Sequence, residues 1–149
     1  MSMERTLVLI KPDAVGRNQI GEVICRFEDG GLRVVGLKMV ALSRSEGARF
    51  YRVHKGKPFY QDLIDFIASG PIVAMALEGK EAISRVRRLM GATDPLQAEE
   101  GTIRHHMGTN VRRNAVHGSD SVPSAAIEIA FFFNELEIVP ASQGEGAGG

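Results

Sequence analysis

Apolar residues along this chain gather in short, nearly continuous runs, separated by stretches where they recur every third or fourth position. Thr6-Leu7-Val8-Leu9-Ile10 is the first run, and its length and β-branched content predict a strand buried on both faces. Lys11-Pro12-Asp13 ends it, because proline cannot donate to a ladder. From Val15 to Glu28 the positions Ile20, Val23, Ile24 and Phe27 keep helical spacing, and Asp29-Gly30-Gly31 closes that helix. A second strand is predicted within Leu32 to Leu42. Ser43, with Glu46 three residues on, forms a capping box for a short helix through Tyr51. Pro58 opens another helix, with Phe59, Leu63, Phe66 and Ile67 on one face, and Ser69-Gly70-Pro71 breaks it. Ile72 to Leu77 is a third strand. Gly79 turns into a helix from Lys80 to Met90 that buries Ala82, Ile83, Val86 and Leu89.

From Gly91 to Asn114 regular spacing disappears, apart from a helical turn near Gln97-Ala98-Glu99. A loop of that length in a compact domain is functional or disordered. Beyond it, Ser121 caps a short helix with Pro123 in its first turn. Ile127-Glu128-Ile129-Ala130-Phe131-Phe132-Phe133 then reads as a fourth strand. The resulting order suggests an α+β, ferredoxin-like, four-stranded antiparallel sheet with helices on one face; a parallel α/β sheet is the main alternative. One domain is expected over 1–139, with 140–149 a flexible, glycine-rich tail.

Charge narrows the possible partners. The chain has 149 residues, 18 basic and 18 acidic, so its formal net charge is zero, which argues against a protein built to coat nucleic acid. Cys25 is the single cysteine, so no intrachain disulfide and no cysteine-rich zinc site can form; its place in an amphipathic helix predicts a core residue. The residues before the first strand resemble neither a secretory signal nor a membrane span, so a cytoplasmic protein without membrane contact is expected.

Locally the picture changes. From Arg85 to His117 there are six arginines and no lysine, against Asp94, Glu99 and Glu100. Arginine grips phosphate oxygens in pairs. Arg87 and Arg104 frame the long loop and have the better claim to phosphate, while Arg85 and Arg88 read as a solvated helix face. Lys11, at a strand's end, is either a solvated cap or an anion ligand. No Gly-x-x-x-x-Gly-Lys-Ser/Thr loop and no Gly-x-Ser-x-Gly elbow occurs. His105, His106 and His117 lack the spacing and partners of a metal site. His117 sits in Asn114-Ala115-Val116-His117-Gly118-Ser119-Asp120-Ser121, where Gly118 would let the backbone turn and present the imidazole at a corner. A polar turn that merely contains a histidine is the bland alternative. Neutral imidazole is a nucleophile near pH 7 when its other nitrogen is held. Glu128 interrupts an apolar run, where a carboxylate is costly without a partner; it either orients His117 or belongs to a structural ion pair.

Together, Lys-Pro-Asp after the first strand, Ser-Gly-Pro before the third, Gly-Ala-Thr-Asp-Pro, Gly-Thr-Ile-Arg and Asn-x-Val-His-Gly-Ser-Asp-Ser resemble nucleoside diphosphate kinase, in order and spacing, from Glu4 to Ile138. The resemblance implies transfer of the terminal phosphoryl group of a nucleoside triphosphate to a nucleoside diphosphate, in two half-reactions through a phosphohistidine at His117. It also implies broad base tolerance, maintenance of the NTP and dNTP pools, a nucleotide-borne Mg²⁺ and a homotetramer or homohexamer. By motif, Lys11 and Tyr51 would meet the ribose 3′-hydroxyl and phosphates, and Arg87, Thr93 and Arg104 the phosphate oxygens. Phe59 would stack on the base with Val111 opposite, Asn114 would bond to the sugar, and Ser119 and Glu128 would orient the imidazole. Three positions depart from the pattern: His105-His106-Met107 in a segment that contributes to subunit contacts, Val53 where some members carry an acid, and Asp94 for the more usual Asn. A non-catalytic nucleotide-binding regulatory module of the same fold, and a nucleic-acid binder using the arginines, are the competing readings.

Overall fold

The computed structural model describes residues 3–140; the predicted tail, apart from Pro140, lies outside them. The elements run β1 (Met3–Ile10), α1 (Pro12–Gly16), α2 (Ile20–Asp29), β2 (Arg33–Val40), α3 (Arg44–Phe50), α4 (Tyr60–Ile67), β3 (Ile72–Lys80), α5 (Ala82–Met90), α6 (Ile103–Met107), β4 (Val116–Gly118) and α7 (Val122–Phe132). The strands form one sheet in the order β2-β3-β1-β4 with every neighbour antiparallel. The α+β reading therefore holds, and the parallel alternative does not.

Side chains alternate across the sheet, and both faces are covered. Val8, Ile10, Val73, Met75 and Leu77 pack with Val23 and Phe27 of α2, Val86 and Met90 of α5, and Ile103 and Met107 of α6. Leu7, Leu9, Ile72, Ala74 and Ala76 pack with Ile67 of α4, Tyr51, and Phe132 and Phe133 at the end of α7. Two-sided burial is why β1 and β3 read as continuous apolar runs. It also corrects the expectation of helices on one face only.

The second correction concerns the fourth strand. Ile127–Phe133 is not a strand; as far as Phe132 it continues the helix that Ser121 caps, the Ser121 Oγ accepting from Ser124 N at 3.1 Å. Ile and Phe carry strand propensity, but an apolar run cannot declare its period when nearly every position is apolar. Tertiary packing against β1 settles it as helix, and the fourth strand is the three-residue β4, paired as Val8↔Gly118, Leu9↔His117 and Ile10↔Val116. His117 thus lies on a strand, not at a glycine corner. Gly118 has no positive φ; a Cβ there would meet Met90 Cε at 2.8 Å and Val86 Cγ1 at 3.0 Å, so glycine gives α5 room against β4.

Smaller differences follow the same logic. The helix expected from Val15 to Glu28 is two helices, broken at Asn18 with φ 60°, where Arg17 reaches Met107 O at 3.0 Å and Thr109 Oγ1 at 2.9 Å. Gly79 and Lys80 belong to β3, and the Ser43–Glu46 capping box is present. Cys25 is exposed rather than core. Its thiol lies 3.6 Å from Asp29 Oδ2, and that carboxylate pushes the thiol pKa up and suppresses the thiolate. His105 and His106 are exposed and lie on α6, within the stretch whose spacing reads as a loop.

Candidate active site

One pocket of about 490 Å³ opens beside β4, and His117, Glu128, Lys11, Tyr51, Phe59, Arg87, Thr93, Arg104, Val111 and Asn114 all line it. They come from six separate parts of the chain, gathered by the sheet order.

His117 is held from below. Its Nε2 lies 2.8 Å from Glu128 Oε1. A carboxylate oxygen accepts, so Nε2 carries the proton and Nδ1 keeps its lone pair. Ser119 Oγ donates to the same Oε1 at 2.8 Å and itself accepts from Leu7 N at 3.2 Å. Ser119 is fully buried and does not line the pocket; it orients Glu128, and reaches the imidazole only through it. Phe50 packs its ring edge-on to the imidazole, centroids 5.5 Å apart.

The backbone leading to His117 is strained on the other side. Ala115 has φ 76°, a region a residue with a Cβ rarely adopts. The Lys-Pro-Asp segment holds it there: Lys11 N donates to Ala115 O at 2.8 Å, and Ala115 N donates to Asp13 Oδ2 at 3.0 Å. The end of β1 thereby fixes the entry to β4.

Cations crowd the neighbouring wall. Lys11 is only 6% exposed, and its Nζ donates to Asn114 Oδ1 at 2.8 Å. Burial, and then the charge of Arg104, bring its pKa down to about 7, with Asp13 opposing and Arg112 adding to the fall. Arg104 is 7% exposed; Nη1 donates to Gly91 O at 3.0 Å and Nη2 to Val116 O at 2.9 Å, while Nε is buried without a partner. Burial, with Arg87 nearby, lowers its pKa to about 10. Asn114 is 1% exposed and turns inward: Nδ2 donates to Thr93 O at 2.9 Å and to Val111 O at 3.2 Å. Its amide ties Lys11 to two loops, a role the sequence pattern does not signal.

Phe59 and Val111 are exposed within the pocket, and the His54 ring lies 5.4 Å from that of Phe59. Tyr51 is buried, and burial followed by the Glu128 charge pushes its hydroxyl pKa up, so it stays a neutral phenol. Of the departures noted in the sequence, Val53 is exposed at the pocket. Asp94 Oδ1 accepts from Leu96 N at 3.0 Å and so caps the turn after Thr93.

The pocket also contains residues not singled out from sequence. Arg52, His54, Arg112, Asp120 and Ser124 line it, with Phe50 and Leu63. Arg112 is visible in the sequence only as one of six arginines, and Phe50 carries no local signal at all. Five cations against two carboxylates make the pocket an anion trap within a neutral protein.

A profile of the family described as nucleoside diphosphate kinase matches residues 4–138. The chain belongs to the nucleoside diphosphate kinase family. A nucleoside diphosphate kinase of Persephonella marina is 57% identical over 139 residues, covering 93% of this chain and 99% of that protein. One from Delftia acidovorans is 54% identical, covering 93% and 98%. Among solved structures, the Aquifex aeolicus nucleoside diphosphate kinase superposes with a TM-score of 0.91 at 43% identity, over 93% of this chain and 100% of that one. The halophilic nucleoside diphosphate kinase of Halobacterium salinarum, solved in complex with CDP, gives 0.92 at 41% identity, over 98% and 97%. Like these nucleoside diphosphate kinases, the chain transfers phosphoryl groups between nucleotides; a non-catalytic module of the same fold is not favoured. Among the described residues no helix is long and apolar enough to cross a membrane.

Proposed function

We propose that the kinase works by a ping-pong mechanism through His117, and the observation that carries this is the Ser119–Glu128–His117 relay facing a wall of cations. The Nδ1 lone pair attacks the terminal phosphorus of a nucleoside triphosphate. The P–O bond to the β-phosphate breaks, and the diphosphate leaves with the electron pair. In the second half-reaction an oxygen of a different nucleoside diphosphate attacks the phosphohistidine, the P–N bond breaks, and Nδ1 recovers its lone pair. Transfer of this kind needs positioning and charge stabilisation, with little else from the protein. Arg87, Thr93 and Arg104 hold phosphate oxygens, while Lys11 and Tyr51 donate to phosphate and the ribose 3′-hydroxyl. Phe59 offers a π-face to any base with Val111 on the opposite side, which gives broad base tolerance and a role in maintaining NTP and dNTP pools. Asn114 acts at the sugar side and keeps Lys11 in place.

The family's metal requirement is met through the nucleotide, and Mg²⁺ suits the donors present: Asp120 lines the pocket, and hydrogen bonds from Ser124 and Ser121, with Arg87 nearby, keep its carboxyl ionised. The ion, when bound, neutralises phosphate charge. Leu37 and Met39, more than half exposed on the edge strand β2, support assembly into a homotetramer or homohexamer. The unpaired Cys25 agrees with a cytoplasmic setting.

Incubation with γ-labelled ATP is expected to leave an acid-labile, base-stable label on His117 that GDP removes. A protein that turns over without acquiring that label would overturn the reading. For Glu128→Ala, turnover is expected to fall about 10²-fold, the effect of a mis-aimed reacting group. The dissociation constant for ADP should stay near the wild-type value. Unchanged turnover, read by a coupled assay, would remove Glu128 from the mechanism.

A further inference from the structure

Arg112 and Arg113 are neighbours in sequence but go to different places. Arg113 lies over the ring of Phe66, 5.2 Å from its centroid. Arg112 lines the pocket, and its Nη2 stands 4.0 Å from Asp62 Oδ2 on α4. The backbone beneath it is fixed. Asn110 Oδ1 accepts from Arg112 N at 3.0 Å and from Arg113 N at 2.8 Å. Thr109 N donates to Arg113 O at 2.7 Å, and Asn114 holds Val111 O.

The side chain is not fixed in the same way. Asp62 is 71% exposed, and an ion pair at that distance with a solvated carboxylate contributes little. Two other cations of the pocket are anchored on the protein while they face it, Arg104 by two carbonyls and Lys11 by Asn114. The charge of Arg112 nonetheless reaches the interior, since it acts on both the Lys11 ammonium and the Tyr51 hydroxyl. A guanidinium bonds phosphate oxygens far more strongly than it does an exposed carboxylate at 4 Å.

We propose that Arg112 is a movable clamp for the nucleotide's phosphates. Asp62 holds its guanidinium at the pocket wall before binding, and the phosphate oxygens take it over afterwards. The clamp rests on the reading of this pocket as the nucleotide site, and it adds a phosphate ligand drawn from the loop that also supplies Val111 and Asn114.

The test is calorimetric titration of the full chain with ADP and with adenosine. Arg112→Met is expected to weaken ADP about tenfold, a modest share of a charge-assisted phosphate contact, and to leave adenosine binding as it was. Asp62→Asn should tighten ADP about two- to threefold by releasing the tether, and should have no effect when combined with Arg112→Met. An ADP constant for Arg112→Met within twofold of wild type, or an equal loss for adenosine, would overturn the clamp. Unaltered ADP binding by Asp62→Asn would overturn the tether. These results separate from the catalytic reading. A wild-type protein that takes label from ATP, with Arg112→Met binding ADP normally, sinks the clamp alone. One that takes no label while Arg112→Met loses ADP sinks the phosphohistidine and leaves the clamp standing.

Discussion

His117→Ala is expected to abolish the labelled phosphoenzyme and to lower turnover by roughly 10⁴-fold or more, the scale seen when a covalent nucleophile is removed. The reason is local. His54 is the other pocket-lining imidazole, and burial together with the charge of Lys57 lowers its pKa, which favours its neutral form. Neutrality alone does not make a nucleophile, however. Glu128 Oε1 fixes the tautomer and plane of His117, and Ser119 fixes Glu128 in turn. His54 has a buried Nδ1 without a partner. Stability should fall by about 1–2 kcal/mol, because alanine retains the backbone pairing Leu9↔His117 while Glu128 Oε1 loses the imidazole and keeps Ser119. A coupled assay beside a thermal melt separates the two effects. Label retained on His54 in the variant would mean that the relay is not what selects the nucleophile.

Much of this site was legible because motifs record chemistry, while the fold was legible only where the hydrophobic period was unambiguous. β1 and β3 declare themselves by two-sided burial, and α2, α4 and α5 by their apolar stripes. α7 did not, because Ile127 to Phe133 is apolar at almost every position and carries one carboxylate whose purpose is long-range. The three-residue β4 is too short for any period, and it exists because β1 offers it an edge. The glycine after His117 suggested a turn, yet the positive φ falls at Ala115, where Asp13 and Lys11 impose it from the far end of β1. Asn114 and Ser119 both carry motif signals, but in the structure each bonds to a protein neighbour, Lys11 and Glu128 respectively, a distinction that spacing cannot convey. Arg112 enters the pocket and Arg113 does not because the Asn110 turn sends adjacent side chains different ways; identical residues in sequence carry no sign of that.

Lys11→Met should lower turnover by roughly 10²- to 10³-fold, the usual loss when one preorganised donor is taken from a charge-bearing transition state. Its effect on stability has a pH dependence of fixed sign. The folded pKa of Lys11 is about 7 and the ordinary value is 10.5, so between those limits the unfolded chain binds a proton that the folded chain lacks. Wild-type stability from this group therefore rises with pH across that window and is lowest below pH 7, where the buried ammonium must be charged in both states. Methionine removes the titration. Relative to wild type, the variant is expected to gain up to a few kcal/mol at pH 6 and to lose that gain by pH 10. A pH-independent offset of about 1–3 kcal/mol works against it, since Asn114 Oδ1 loses its donor. Urea unfolding at several pH values measures the difference; parallel curves for the two proteins would contradict a buried, titrating Lys11. Nucleotide binding should run the same linkage in reverse. Phosphate charge beside Nζ raises its pKa, so at pH 8 the wild-type protein is expected to take up close to one proton with ADP, detectable by calorimetry in buffers of different ionisation enthalpy, and Lys11→Met to take up none. The burial that costs the fold stability is the same burial that makes this ammonium, once recharged, act on phosphate without competing water.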